Sequence, residues 1–172
     1  MIIINKKFTP NAFAKHVQNM PWRFWHRKVS KLVFHHTSSP VEIWQGSASM
    51  LHYYNLYRSR GWKVGPHIFI APGGIWLFTD MHLQGKHAGP KGNPGSIGIE
   101  VVGNYKDGPP TDKKICQDIA IVTKSLMEKF NLKWHQITKH TDFDPNTFCC
   151  ETIDSYWLKE NLNKYYPEEK HT

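Results

Sequence analysis

Apolar residues recur along this chain with two periods, and the switches between them outline the elements. Leu32-Val33-Phe34 is a short continuous apolar run that closes in His35-His36, a pattern suited to a strand covered on both faces. Two further short runs, 67–71 and 75–78, flank Pro72-Gly73-Gly74 and predict a hairpin. In the run 97–102, Ile97, Ile99 and Val101 share one face while Gly98, Glu100 and Val102 share the other. A last strand is predicted over 134–138. Helical spacing appears at Ile115, Ile119, Val122, Leu126 and Phe130, predicting a helix over 112–130. It appears again at Trp44, Ala48, Leu51 and Tyr54 within a predicted helix over 42–60 that Gly61 ends. Shorter helices are expected over 8–20, started near Thr9-Pro10, and over 153–165. Strands interspersed with helices predict one α/β domain around a central mixed β-sheet flanked by helices. Residues 1–30, with Trp22, Phe24 and Trp25 among Arg23, His26, Arg27 and Lys28, read as an aromatic and basic extension packed on it. Packing on the core or binding of sugars and anions would both account for that cluster.

A length of 172 residues allows one domain with a full core, and 40% hydrophobic with 21% charged residues excludes collagen-like and low-complexity chains. The apolar runs fall far short of the ~20 residues that cross a bilayer. The opening Met1-Ile2-Ile3-Ile4-Asn5-Lys6-Lys7 is too short an apolar stretch for a secretory signal, so a soluble chain made in a cytoplasm is expected. Lys and Arg outnumber Asp and Glu by 22 to 14, a net charge of +8 that favours anionic partners. Nucleic acid is not expected among them, since neither zinc-finger spacing nor an RNA-binding signature is present. Three cysteines, two of them adjacent, are a poor disulfide framework and suit a metal ligand or buried thiols.

Three distant segments carry metal-binding side chains: His35-His36 at a strand end, His140 after another strand, and Cys149-Cys150. Two imidazoles and a thiolate can hold zinc with a fourth position open, the catalytic arrangement. Strand-end histidines and buried thiols account for the same residues without a metal. Glu100 is an anomaly inside an apolar strand, costly to bury unless paired with Lys or Arg or placed beside a bound cation. Gly98, on its face, leaves space for a ligand.

Val33-Phe34-His35-His36-Thr37, Gly65-Pro66-His67-Ile68-Phe69-Ile70 with Gly73-Gly74, Gly85-Lys86-His87-Ala88 with Asn93, Ser96 to Gly103, and Lys139-His140-Thr141-Asp142-Phe143 to Cys149 occur in a fixed order. In that order the sequence resembles the zinc-dependent N-acetylmuramoyl-L-alanine amidases of the amidase-2 and peptidoglycan-recognition-protein superfamily, and within it the compact phage endolysins. The resemblance spans about residues 32–151. It implies zinc (Zn2+) held by His35, His140 and Cys149, with Cys150 an alternative third ligand because relatives carry one Cys or Asp, often before Pro-Gly. It implies Glu100 as general base, since the position where several relatives place a catalytic Tyr is Pro66 here. Thr147 is implied as an active-site hydroxyl, and His87, Asn93 and His36 as residues near the substrate.

By the same resemblance, the substrate is bacterial peptidoglycan and the bond cleaved joins N-acetylmuramic acid to L-alanine of the stem peptide. The basic charge would assist approach to an anionic cell wall or outer-membrane surface. The expectation is a monomeric endolysin, made in the host cytoplasm and reaching the wall after holin-type release. A non-catalytic peptidoglycan-binding module and a bacterial recycling amidase are the alternatives. A two-carboxylate glycosidase fits worse, since only one carboxylate stands in a groove-like context.

Overall fold

A computed structural model describes residues 2–23, 27–147 and 149–167. Six strands, β1 (Lys6–Phe8), β2 (Lys31–His36), β3 (Ile68–Ala71), β4 (Gly74–Leu77), β5 (Ser96–Val101) and β6 (Ile137–Lys139), form one sheet in the order β1-β4-β3-β5-β2-β6. β2 runs parallel to β5 and β6, and β3 parallel to β5, whereas β4 is antiparallel to β1 and β3. The sheet is therefore mixed, as the interspersed helices predict. Among the described residues there are also five α-helices: α1 (Pro10–Asn19), α2 (Ser47–Ser59), the single turn α3 (Gly89–Gly92), α4 (Lys113–Phe130) and α5 (Ser155–Tyr165). None of the described helices is long and apolar enough to cross a membrane.

Strand alternation splits the core into two layers. Leu32, Phe34, Ile68, Ile70, Ile97, Ile99 and Val101 point to one side, where α1, α4 and α5 contribute Phe13, Ile119 and Leu158. Phe69, Ala71, Trp76, Phe78 and Val102 point to the other, covered by Met50 and Tyr57 of α2. The predicted stripe of α4 is confirmed, with Ile115, Ile119, Val122 and Leu126 buried. Asp112 caps α4 by accepting from the Ile115 N–H at 2.9 Å, and Asn131 ends it with φ at +50°. Asp112→Ala is expected to cost about 1 kcal/mol, seen as a fall of about 2–4 °C in Tm.

Several elements differ from expectation. The helix over 42–60 is broken: Val41–Ile43 forms a 3-10 turn, Gly46 takes φ of +61°, and α2 starts only at Ser47. Trp44 thus stands on extended backbone before the helix, and the stripe counted from it has the wrong phase. Leu51 is 51% exposed and Ala48 is also outside, while Met50 and Tyr57 are buried. Residues 134–136 form a 3-10 turn before the short β6, because the Trp134-His135-Gln136 backbone turns instead of extending. Phe8 belongs to β1, an edge strand whose Lys6 and Lys7 are exposed, a composition that discourages further edge pairing. Of the aromatic segment, Trp22 stacks on His82 at 4.7 Å and meets Phe130 edge-on at 4.8 Å. Phe24, Trp25 and His26 lie outside the described residues.

Candidate active site

Parallel pairing of β2 with β5 sets His35 directly opposite Glu100. Both lie on the sheet face away from Leu32, Phe34, Ile97 and Ile99, so the two side chains share one side. The chain returns to this point after β6, where a 3-10 turn, His140–Asp142, carries His140. The following loop brings back Cys149, whose sulfur accepts a hydrogen bond from the His36 N–H at 3.3 Å. The result is a cluster in which one ligand atom each from His35, His140 and Cys149 lies within 4.8 Å of the others. His35 Nδ1 is 3.2 Å from His140 Nδ1 and 3.8 Å from Cys149 Sγ.

The donor chemistry of this cluster fits a nitrogen- and sulfur-preferring divalent ion, so the three side chains can hold a metal. Burial holds His35 below the ordinary imidazole range, leaving it neutral as a ligand must be. The Cys149 thiol is driven far below its usual range, first by a hydrogen bond from the Cys150 thiol and then by the neighbouring imidazoles. Cys150 moves the other way, raised by burial, and stays protonated. Its sulfur lies 3.4 Å from that of Cys149, and the residue is fully buried with φ of +65°. The two adjacent cysteines thus divide into one available thiolate and one supporting thiol.

Glu100 is buried, and no Lys or Arg among the described residues pairs with it. The buried ion pair that could have explained this carboxylate is therefore not there. Burial, with the negative Cys149 nearby, pushes its carboxyl well above the usual range. A carboxyl in that environment binds a proton more tightly than a free one, the property of a general acid or base in a cleft.

The residues expected to meet substrate are placed differently. His36 points to the opposite sheet face from His35. Its Nδ1 accepts from the Tyr105 N–H at 2.7 Å and its Nε2 faces Ser38 Oγ at 3.3 Å, so its ring supports the 103–105 loop instead of the substrate side. His87 is buried, with Nδ1 3.0 Å from His35 Nε2 and Nε2 3.0 Å from Ser96 Oγ. Both of its ring nitrogens are thus engaged inside the protein. Its ring also fills the space beside Gly98: a Cβ built there would lie 2.5 Å from the His87 ring. The room assigned to a ligand is the seat of an imidazole. Asn93 turns its Oδ1 inward to accept from the N–H groups of His87 and Ala88 at 2.9 and 2.7 Å, so it builds the loop. Thr147 Oγ1 accepts from the Cys149 N–H at 3.3 Å, which leaves the hydroxyl proton without an acceptor among the described residues. Ser96 was not anticipated; its place at the start of a strand, two residues from Gly98, gave no local signal.

Residues 25–152 match the Amidase_2 family, described as N-acetylmuramoyl-L-alanine amidase. The chain belongs to this amidase family. Solved structures agree on the fold. The N-acetylmuramoyl-L-alanine amidase LysC from Clostridium intestinale URNW superposes with a TM-score of 0.66 at 22% identity, covering 84% of this chain and 94% of that one. The Ph2119 endolysin from the Thermus scotoductus MAT2119 bacteriophage Ph2119 gives 0.64 at 18% identity, covering 84% and 92%. Drosophila PGRP-LB gives 0.61 at 18% identity, covering 83% and 85%. No curated protein sequence matches the chain. As an Amidase_2 member the protein is an N-acetylmuramoyl-L-alanine amidase, and the cluster at the ends of β2 and β6 is its candidate active site.

Proposed function

We propose that this amidase is a zinc-dependent endolysin that hydrolyses the amide between the lactyl group of N-acetylmuramic acid and L-alanine of the stem peptide. The observation that carries the reading is the juxtaposition of a two-histidine, one-thiolate cluster with Glu100, a buried carboxylate without a cationic partner among the described residues. His35, His140 and Cys149 would hold the zinc, which when bound supplies a Lewis acid and lowers the pKa of water. Glu100 would accept the proton of the attacking water and return it to the leaving amine nitrogen. The free proton of the Thr147 hydroxyl would donate to the developing oxyanion. A groove of about 270 Å³ lined by Ser39, Trp44, His52, Tyr53 and Val102 begins two residues beyond Glu100 on the same face. It offers aromatic surface and hydroxyls for the sugar or the stem peptide.

Charge supports delivery to an anionic surface of wall or outer membrane. Residues 1–99 hold 12 of the 22 Lys and Arg but only Glu42 and Asp80 among the acids. A monomer, made in a host cytoplasm and released to the wall through a holin-type lesion, is the setting we infer.

Mass spectrometry of purified peptidoglycan digested with the protein tests this reading. The expected products are stem peptides with a free L-alanine amine and glycan strands stripped of peptide, both abolished by chelation and restored by zinc. Cleaved glycosidic bonds would refute the bond assignment. Wall binding with no cleavage in the zinc-loaded protein would favour the recognition-module reading.

A further inference from the structure

Behind His35 runs a chain of polar groups that ends on a group with only one possible role. His35 Nε2 faces His87 Nδ1 at 3.0 Å, His87 Nε2 faces Ser96 Oγ at 3.0 Å, and Ser96 Oγ lies 2.8 Å from the Asn93 carbonyl oxygen. A carbonyl can only accept, so the single hydroxyl proton of Ser96 is directed to Asn93. Ser96 must then accept from His87, which places the His87 proton on Nε2 and leaves Nδ1 as an acceptor. His35 consequently carries its proton on Nε2, and the lone pair of Nδ1 points at His140 and Cys149. In the reverse polarity Ser96 would give its proton to His87, leaving Oγ lone pairs against the Asn93 carbonyl oxygen at 2.8 Å, where only the Ser96 N–H at 3.3 Å would still donate, and protonating His35 on the nitrogen that faces the cluster.

We propose that His87 and Ser96 are positioning residues that lock His35 in its Nε2–H tautomer, with Asn93 setting the direction of the relay. Asn93 serves at both ends: its side chain fixes the His87 and Ala88 main chain, and its carbonyl takes the last proton. Ser96 is fully buried and His87 nearly so, which keeps water from supplying a competing donor or acceptor. Gly98 belongs to the same device, since any side chain there would strike the His87 ring. Partners of this kind raise ligand basicity and fix ring orientation at metal sites. The consequence for a cation rests on the zinc reading above; the tautomer lock does not.

Two measurements separate the claims. Long-range 1H–15N correlation spectra of the 15N-histidine-labelled, metal-free protein are expected to show His35 with Nε2 protonated and Nδ1 bare. Ser96→Ala and His87→Ala are expected to mix the two forms, whereas His87→Asn, whose amide oxygen takes the place of Nδ1, restores the wild-type pattern. Zinc affinity, measured by chelator competition, is expected to weaken about 10- to 100-fold in Ser96→Ala and His87→Ala and to recover largely in His87→Asn. A wild-type spectrum with His35 protonated on Nδ1 overturns the proposal. So does a wild-type tautomer pattern retained in both alanine variants. If the tautomer is fixed as stated but zinc does not bind the wild-type protein, the relay stands and the zinc reading fails.

Discussion

Glu100→Gln is expected to lower the rate of peptidoglycan hydrolysis by about 10²–10⁴-fold while the protein still binds one zinc ion per chain. Glutamine keeps the volume and one oxygen of the side chain but cannot take a proton, so the loss falls on proton transfer and not on the fold. The same substitution is expected to stabilise the metal-free protein at neutral pH. Burial raises the Glu100 carboxyl above its ordinary range. The folded state then retains a proton that the unfolded chain releases, and stability is lost as pH rises through the folded-state value. Thermal scans of the metal-free proteins should show no difference below about pH 4 and a Tm advantage for Glu100→Gln that grows toward pH 8. Each kcal/mol relieved corresponds to about 2–4 °C in a domain of this size. Undiminished hydrolysis by the variant would remove Glu100 from the mechanism.

Cys149→Ala is expected to abolish stoichiometric zinc binding and with it activity, whereas Cys150→Ala retains both. The reason lies in how the two sulfurs are treated. Cys149 receives the His36 N–H and the Cys150 thiol and sits within reach of both imidazoles. Cys150 is sealed in the core, with its thiol raised by burial. Losing Cys150 removes one donor to the Cys149 sulfur and should weaken zinc binding about tenfold, the low end for a supporting partner. Metal analysis of the two purified variants decides the assignment. Zinc retained by Cys149→Ala and lost from Cys150→Ala would reverse it.

Much of this architecture was legible because burial imposes periodicity. The alternation of Ile97, Ile99 and Val101 against Gly98 and Glu100, and the stripe from Ile115 to Leu126, each map onto one face of one element. Where a break in the chain resets the phase, as Gly46 does before α2, the same reasoning selected Ala48 and Leu51 in place of Met50 and Tyr57. β1 is three residues long with two lysines, and no pattern exists at that length. The choice of His35 over His36 rests on the family resemblance, because the run 32–34 is apolar on both faces and its parity acquires meaning only from the structure. Leu32 and Phe34 face the larger core, so His36 follows them and His35 points away. The inward hydrogen bonds of His87 and Asn93 were not legible for a different reason. Their loop folds back onto β5, and the glycine that admits the His87 ring looks in sequence like any glycine in a strand. Long-range closure of that kind leaves no trace in local composition.

Zinc K-edge X-ray absorption on the protein loaded with one equivalent of zinc is the most direct probe of the ligand set proposed here. The spectrum expected contains one sulfur and two imidazole nitrogens, from Cys149, His35 and His140. Two sulfurs, which would bring Cys150 into the site, or none, which would leave Cys149 out, would contradict it.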